Sequence, residues 1–439
     1  MPFTDDHGLP LSTGLDTAAF AYCEGVRLML SAWPGAAQQL DTAIRADPDF
    51  ALAHAARARL HAIFGEGAAA KAAVERAAAL VASRGTERER SHVDVLAHAV
   101  TGRSKEALAR ALDHVSRWPR DVIILSLPLG AFGLYAFSGM AEHDQARVDL
   151  VERHASAFDA GDWWFLTYRG WALAENGEVA RGRAMLERAI ERRRDNANGA
   201  HALAHAMYEG GAGDDAEALI AGWLPGYDAG AILYGHIAWH AALVALERGD
   251  PAAALRIYDS QVQPAVSQGM PINVVSDAAS LLWRIGAYGH AVPEGYWNAI
   301  GAYAGAKFPE AGHAFVDAHM AMVEAMAGDR SAFQARVAAL DTLAADGTLG
   351  AGAVVPTIGR AMLAFADADY RRTVALLEPV AREVARIGGS GAQREVVEDT
   401  LLVALMRAGE TARARALLDR RLHRRPSPRD TRWREGLAA

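Results

Sequence analysis

Apolar residues recur along most of this chain with the periodicity of amphipathic helices, and short Gly/Asp turns interrupt them. The clearest turns contain Gly102, Gly177, Gly249, Gly328 and Gly409, and each is followed by a helical pattern. Successive glycines lie 75, 72, 79 and 81 residues apart, close to two units of about 34 to 41 residues. The pattern therefore predicts a helix, a short turn and a second helix that repeat along the chain.

Prolines separate these predicted repeats. Pro48, Pro119 and Pro264 follow second helices, where the residue ahead of a proline is pushed out of the helical conformation. Strand signals are scarce, because the short apolar runs 121–127 and 352–358 stand alone without hairpin turn residues beside them. We predict that both runs begin helices, and that the fold class is all-α.

The recurring helix pairs resemble those of the tetratricopeptide-repeat (TPR) class. The resemblance implies a right-handed α-solenoid of helix-turn-helix repeats, because one pair cannot bury its apolar face alone and neighbouring pairs must share a core. We expect one continuous solenoid in which residues 1–160 give structural support and residues 161–425 line a site. Residues 426–439 are expected to form a solvated tail.

Composition narrows the function classes. A chain of 439 residues with 51% hydrophobic and 22% charged residues can bury a large core. The formal charge of −8 gives no positive field that would attract nucleic acid. The single cysteine, Cys23, fits a reducing compartment, and we see neither an export signal nor a membrane-spanning run. We expect a cytoplasmic protein with no membrane or nucleic-acid partner, and alanine richness suggests a bacterial source.

Four blocks towards the C-terminus resemble the tetratricopeptide repeat protein 38 family. They are residues 235–259, 277–289, 316–329 and 385–405, in the order in which the family has them. With the region 201–225 they cover roughly the C-terminal half of the chain. The resemblance implies a repeat fold and a set of candidate positions, but it implies no reaction.

One block departs from the family pattern. The family reads Ile-Gly-Gly-Ser-His-Ala-Gln-Arg, whereas this chain reads IGGSGAQR with Gly391 in place of the histidine. Gln393 and Arg394 are retained. The pair Gly388 and Gly389 predicts a break between helices, after which Gln393 and Arg394 begin the next helix. Arg394 could then offer its guanidinium to a carboxylate-bearing ligand.

The first helices of the C-terminal repeats carry an unusual set of polar and aromatic residues. The set comprises His201, His205, Glu209, His236, Trp239, His240, Asp277, Trp283, Asp317 and His319. In TPR proteins the first helix of each pair lines the concave groove, so these residues are expected to converge there. The register supports this expectation, because His240 and His319 both lie nine residues before a turn glycine.

Three functional interpretations fit this set. We favour a groove that binds a small polar molecule and, if the protein is an enzyme, turns it over through His240, His319 and Asp317 without a metal or other cofactor. The first alternative is a scaffold that holds a peptide in the groove. The second is a zinc-type hydrolase, although HALAH (201–205) lacks the internal glutamate of the metalloprotease motif HExxH. A homodimer is a further candidate assembly.

Overall fold

The structure is a computed structural model that describes residues 3–328 and 330–437, and throughout these ranges its regular elements are helices. Two compact units make up the chain. Unit 1 consists of Met1–Tyr135, Asp144–Ala172 and Ala184–Gly199. Unit 2 consists of Ala136–His143, Leu173–Arg183 and Ala200–Ala439. The predicted boundary at residue 160 differs from this division, and the single continuous solenoid stays a prediction.

Eleven α-helices precede residue 210. They are α1 (Asp16–Leu30), α2 (Ala36–Ala46), α3 (Ala51–Ile63), α4 (Gly67–Arg84), α5 (Glu87–Val100), α6 (Ser104–Arg117), α7 (Val122–Leu129), α8 (His143–His154), α9 (Trp163–Glu175), α10 (Val179–Arg192) and α11 (Ala197–Glu209). In unit 1, α1 packs on α2, α3 on α4 and α5 on α6. Short connections make each pair antiparallel, as the repeat pattern predicts.

Twelve more α-helices follow in the described part of unit 2. They are α12 (Gly213–Trp223), α13 (Tyr234–Arg248), α14 (Pro251–Ile257), α15 (Pro271–Ala287), α16 (Glu294–Lys307), α17 (Ala314–Ala327), α18 (Arg330–Ala345), α19 (Val354–Ala366), α20 (Tyr370–Val380), α21 (Gly391–Arg407), α22 (Thr411–Arg424) and α23 (Pro428–Gly436). A π-helical turn, Tyr258–Val262, extends α14. The all-α, TPR-like repeat fold predicted from the sequence is confirmed, and α7 and α19 begin at the two short apolar runs.

The helices of unit 2 fall into an inner and an outer set. The first helices of the pairs, such as α13, α15 and α17, are buried over nearly their whole surface. The second helices, such as α14, α16 and α18, bury a narrow stripe. A helix that is buried all round must be apolar on most positions and must find partners for the rest.

The inner helices of unit 2 do not leave the open groove that the sequence led us to expect at this position. Helix α21 packs against α15 as well as against α20. Trp283 Nε1 donates a hydrogen bond of 2.8 Å to Thr400 Oγ1, and Arg284 Nε donates one of 2.9 Å to Asp399. The face of α15 that was predicted to line the groove is therefore covered by α21.

The predicted solvated tail is wrong, because α23 begins at Pro428 within it. Arg425 and Arg429 are buried, with exposed fractions of 4% and 3%. Arg425 donates to Glu395 at 2.8 Å and to Glu247 at 3.2 Å, and these carboxylates compensate the buried charge. The basic C-terminal segment is thus a docked part of unit 2. No helix within 3–328 or 330–437 has the length and apolarity to cross a membrane.

The predicted break at Gly388 and Gly389 is confirmed. Both glycines have positive φ angles, +87° and +79°, and they separate a 3₁₀ turn, Val384–Ile387, from α21. Ser390 then caps α21, since its hydroxyl accepts from Gln393 N while the Gln393 side chain accepts from Ser390 N. A Cβ atom on Gly389 would lie 2.3 Å from the ring of Phe315.

We expect Gly389→Ala to lower the free energy of unfolding by about 2–4 kcal/mol, because a left-handed backbone and a clash with the Phe315 ring add together. Gly409→Ala is the matched control, since Gly409 also has a positive φ but its Cβ would meet no atom within 4 Å. It should cost about 1 kcal/mol. Denaturant unfolding measures both, and equal losses would contradict the close approach at Gly389.

Candidate functional site

Four histidines from two neighbouring inner helices meet inside unit 2. His201 and His205 lie one turn apart on α11, and His236 and His240 lie one turn apart on α13. Neighbouring ring centroids are 4.1 to 5.2 Å apart. One ring nitrogen of each residue lies within 4.8 Å of those of the other three. We call these four residues the histidine cluster.

Two buried carboxylates hold the outer edge of the histidine cluster. Asp277 on α15 accepts a hydrogen bond of 2.8 Å from Nδ1 of His236. Glu175, the last residue of α9, places Oε1 3.3 Å from Nδ1 of His205. A carboxylate on Nδ1 fixes the tautomer of the ring and leaves the Nε2 lone pair for another partner. A carboxylate therefore orients the ring of His236, and a second carboxylate lies close to the ring of His205.

Burial disfavours the charged form of three members of the histidine cluster. It lowers the pKa of His201, His205 and His240, and the neighbouring imidazoles lower the pKa of His201 and His240 further. Burial alone would raise the pKa of Glu175, but contact with His205 and the charge of Arg394 hold that pKa below its usual value. Three imidazoles that resist protonation thus lie beside a carboxylate that favours its ionised form.

The ring of His240 has an enclosed environment in the described part of the chain. It is fully buried, and neither ring nitrogen has a hydrogen-bond partner among the residues that the structure describes. Trp239 lies beside it, with its ring edge-on to His240 and stacked on His236 at 5.5 Å. A neutral imidazole carries one donor and one acceptor, and leaving both unpaired in the interior costs about 1–3 kcal/mol each.

A cleft of about 720 Å³ in unit 2 lies next to Glu175. Its lining includes Glu175, Glu209, Gly391 and Arg394 together with side chains of α20, α21 and α22. The backbone N–H of Gly391 donates a 2.7 Å hydrogen bond to Glu175 Oε2. We call this space the Glu209 cleft. Because Glu175 touches both the cleft and His205, the two features share one carboxylate.

The other predicted site residues divide between the cleft and the packed interior. Arg394 lines the Glu209 cleft, and its guanidinium donates to Gly389 O at 2.6 Å and lies 3.1 Å from His143 Nε2. Gln393 caps α21, and Trp283 packs against that helix. Gln393 and Trp283 therefore contribute to helix capping and packing, and a ligand role for either residue stays a prediction.

The structure does not bring His319 and Asp317 into the histidine cluster. Nδ1 of His319 donates a 2.8 Å hydrogen bond to the carbonyl oxygen of Phe315, one turn earlier on α17. Asp317 pairs with Arg336 at 2.7 Å and accepts from the backbone N–H of Gly312 at 2.9 Å. The predicted set of His240, His319 and Asp317 is therefore not assembled at one point, because local partners on and beside α17 hold the last two.

A second cluster of titratable residues lies in unit 1 and was not predicted. The carboxylate of Asp121 accepts from Nδ1 of His92 at 2.9 Å, from Nε2 of His114 at 3.2 Å and from Arg88 at 2.8 Å. His114 Nδ1 also lies 2.8 Å from Ser91 Oγ. The Arg88 guanidinium supplies the positive charge, so this cluster is a buried hydrogen-bonded network that joins α5, α6 and the start of α7.

Glu175 is the functional candidate that the sequence concealed. It ends α9, 30 residues before His205, in a segment that reads as ordinary repeat packing. Its spacing to the histidines matches no ligand motif, since their contact depends on how α9 packs beside α11. The available signal was an acidic residue at the end of a predicted first helix, two residues before the turn glycine Gly177.

The comparisons with known proteins concern the fold. No family model matches the chain. Among solved structures it is similar to yeast Tom70, with 13% identity over 95% of this chain and 87% of that one and a TM-score of 0.33. It is also similar to a monomeric mutant of IFIT1 with Gppp-AAAA. The identity is 11% over 83% of this chain and 90% of that one, and the TM-score is 0.35. The TPR domain of P58(IPK) has 11% identity over 90% of this chain and 90% of that one, with a TM-score of 0.22. At these values the likenesses carry no inference about a ligand.

Buried histidines should make the protein less stable as the pH falls. Burial holds the pKa of His319 at about 4, below the value of about 6.5 expected when the chain is unfolded. The unfolded state therefore binds more protons between these values, and His319 should contribute about 1 kcal/mol less stability at pH 5.5 than at pH 7.5. Denaturant unfolding at both pH values should show a smaller loss for His319→Asn than for wild type.

The control for this prediction is His423→Asn. His423 is exposed on α22, so its replacement should leave the pH dependence of unfolding as it is in wild type. Asparagine can still donate to the Phe315 carbonyl, so His319→Asn isolates the titration from the hydrogen bond. An unchanged pH dependence in His319→Asn would refute the assignment.

Proposed function

We propose that unit 2 binds a small polar molecule in the Glu209 cleft, and that the molecule carries a cationic or N–H-donating group. The carboxyl of Glu209 is the single observation that carries this proposal. It is half-buried, it lines the cleft, and no residue of the described chain donates a hydrogen bond to it. Burial raises its pKa to about 7. A donor from a ligand would supply the missing partner.

The unpaired carboxyl is a feature that packing alone does not favour. A half-buried acid without a donor destabilises the folded chain when it ionises. Other carboxylates of the cleft are paired, as Glu378 is with Arg413 and Glu398 with Arg421. Groups that are poorly satisfied in the free protein are typical of binding sites, where function is favoured over stability. Glu209 fits that description.

Gly391 keeps space open beside the two carboxylates. A Cβ atom built there would lie 3.2 Å from Glu209 Oε1 and 3.7 Å from Glu175 Oε2. The resemblance to the tetratricopeptide repeat protein 38 family, which we retain as part of this proposal, has a histidine here. We infer that glycine in this chain widens the cleft at a point where a larger side chain would fill it.

Arginines give the ligand a second recognition point. Arg382 and Arg420 line the same cleft and are exposed. A guanidinium binds a carboxylate through parallel hydrogen bonds. The cleft therefore suits a zwitterion of amino-acid type, with its ammonium near Glu209 and its carboxylate near the arginines. Its volume lies within the range of about 300–1,000 Å³ typical of small-molecule sites.

A protein-interaction scaffold is the second candidate function. The TPR-like repeat fold supports it, because such repeats present extended binding surfaces. The observation that favours it is the apolar part of the cleft lining, which includes Leu377, Val384 and Leu401. A peptide could place an apolar side chain there. The two candidate functions differ in the molecule that occupies the cleft, which is a small polar ligand in the first and a peptide in the second.

Replacing Glu209 with glutamine should abolish ligand binding and increase stability at alkaline pH. Because the folded-state pKa of Glu209 is raised, its ionisation destabilises the protein as the pH rises from about 4.5 to above 7. Glu209→Gln should therefore raise the unfolding free energy by about 3 kcal/mol at pH 8 and leave it nearly unchanged at pH 4.5. Thermal-shift titrations with arginine, ornithine, agmatine, putrescine and citrate measure binding.

We expect zwitterions to bind wild type most tightly, and both Glu209→Gln and Gly391→Ala to weaken them at least tenfold. Glu217→Gln is the control, because Glu217 lies on α12 outside the cleft and pairs with Arg248. Equal affinity of Glu209→Gln and wild type would refute the site. Binding of citrate alone, or of peptides through the apolar lining with no role for Glu209, would favour the scaffold.

A further inference from the structure

We propose that the histidine cluster binds one divalent first-row transition ion, of the zinc class, through the imidazoles of His201, His205, His236 and His240. The proposal does not depend on a ligand in the Glu209 cleft. It rests on ligand type, convergence of the four rings, orientation of two of them by carboxylates, and charge.

Four imidazoles are a complete ligand set for a tetrahedral ion. Neutral imidazole binds zinc at about 2.0–2.1 Å, which places the nitrogens of a tetrahedron roughly 3.4 Å apart. The four nitrogens of the cluster already lie within 4.8 Å of one another. Each pair comes from one helix at i and i+4, so small side-chain rotations on α11 and α13 bring the rings to that distance.

Second partners orient two of the rings as metal ligands usually are. Asp277 accepts from Nδ1 of His236 at 2.8 Å and directs the other nitrogen of that ring away from the carboxylate. Glu175 Oε1 lies 3.3 Å from Nδ1 of His205, on the corresponding side of that ring. Metal-bound histidines commonly donate their other N–H to a carboxylate, which fixes the tautomer and raises the basicity of the ligand. A packing role alone would not require two separate carboxylate–histidine pairs.

The charges inside the cluster favour a cation. Asp277 is 3% exposed and accepts hydrogen bonds from His236 and from Ser276 Oγ, with no lysine or arginine of the described chain on it. A buried carboxylate without a counter-ion is costly. Glu175 adds a second carboxylate. A divalent ion bound between the rings would place positive charge beside these two buried carboxylates.

His240 gains most from an ion. Neither of its nitrogens has a hydrogen-bond partner among the described residues, and its side chain is fully buried. Coordination would use one nitrogen directly. The half-buried His201 is the most exposed member of the cluster, and it gives the ion a route of entry.

The Asp121 cluster in unit 1 shows what a packed histidine network looks like in this protein. There the two histidines share one carboxylate, and Arg88 donates to it at 2.8 Å. The nitrogens that face inwards are bonded to Asp121. The histidine cluster is arranged differently, since its rings face one another and its carboxylates lie outside them.

An ion held by four protein ligands has no open coordination position for a substrate water. We therefore infer a site that fixes α11 to α13, two helices that carry one pair of ligands each. Glu175 connects this site to the Glu209 cleft through Gly391 N. Binding of the ion would then hold one wall of the cleft in place.

The test uses the full chain without a histidine tag. Protein stripped with a chelator is titrated with Zn²⁺ by calorimetry, and with Co²⁺ by visible absorption, which is strong for tetrahedral cobalt. We expect one ion per chain with sub-micromolar affinity, a tetrahedral cobalt spectrum, and a higher unfolding midpoint with Zn²⁺ than without it. No binding by stripped wild type at micromolar Zn²⁺ would overturn the proposal.

Three variants assign the ion to the cluster. His240→Phe keeps an aromatic ring but removes both nitrogens, and it should weaken Zn²⁺ at least a hundredfold. Asp277→Asn keeps the shape of the orienting group, and it should weaken Zn²⁺ by about 10- to 100-fold. His319→Asn is the matched control, because His319 occupies the same register before its turn glycine and is equally buried. It should bind Zn²⁺ as wild type does.

Unchanged affinity in both His240→Phe and Asp277→Asn would place the ion elsewhere on the chain and overturn the assignment. Asp277→Asn keeps the test decisive if His240→Phe fails to fold. Glu209→Gln separates the two proposals: it should retain the cobalt spectrum while losing zwitterion binding. Metal binding without any cleft ligand would thus support this inference and refute the proposed function alone.

Discussion

The burial of the inner helices on all sides is the constraint from which most other features of unit 2 follow. Helices α13, α15 and α17 expose almost no surface, so each polar side chain on them needs a partner from another helix. Arg284 finds Asp399, Trp283 finds Thr400, and Asp317 finds Arg336. These pairs fix which helices are neighbours, and they explain why α21 covers α15 rather than leaving a groove.

The same constraint explains the C-terminal helix. Asp399 and Glu395 on α21 are buried acids, and the arginines of α22 and α23 compensate them, among them Arg421 at 2.9 Å from Asp399 and 3.0 Å from Glu395. Removing one member of a buried ion network destabilises the folded protein strongly, because it leaves an uncompensated buried charge. The basic C-terminal segment is therefore part of the packing of unit 2.

Two positions carry our proposals. His240 is buried without a hydrogen-bond partner in the described chain, and Glu209 lines the Glu209 cleft. We propose a cation at the first position and a hydrogen-bond-donating ligand at the second. Glu175 lies between them, with one oxygen near His205 and the other on Gly391 N. This carboxylate would therefore connect the proposed ion site with the proposed ligand cleft.

The sequence by itself determined the local features of this protein. Helical periodicity and turn glycines predicted the helix pairs, two adjacent glycines predicted the break before α21, and the i, i+4 spacing placed His201 with His205 and His236 with His240. Such signals depend on neighbours within a few residues, so they can be read without knowing how the helices pack.

Only the tertiary structure decided which of these residues meet. His240 and His319 have the same register, yet one faces His201 and His205 from the neighbouring α11 while the other bonds to Phe315 on its own helix. Glu175 and Gly391 are 216 residues apart and share a hydrogen bond. Contacts of this kind depend on the order and rotation of packed helices, and a repeat pattern leaves both undetermined because it describes each pair alike.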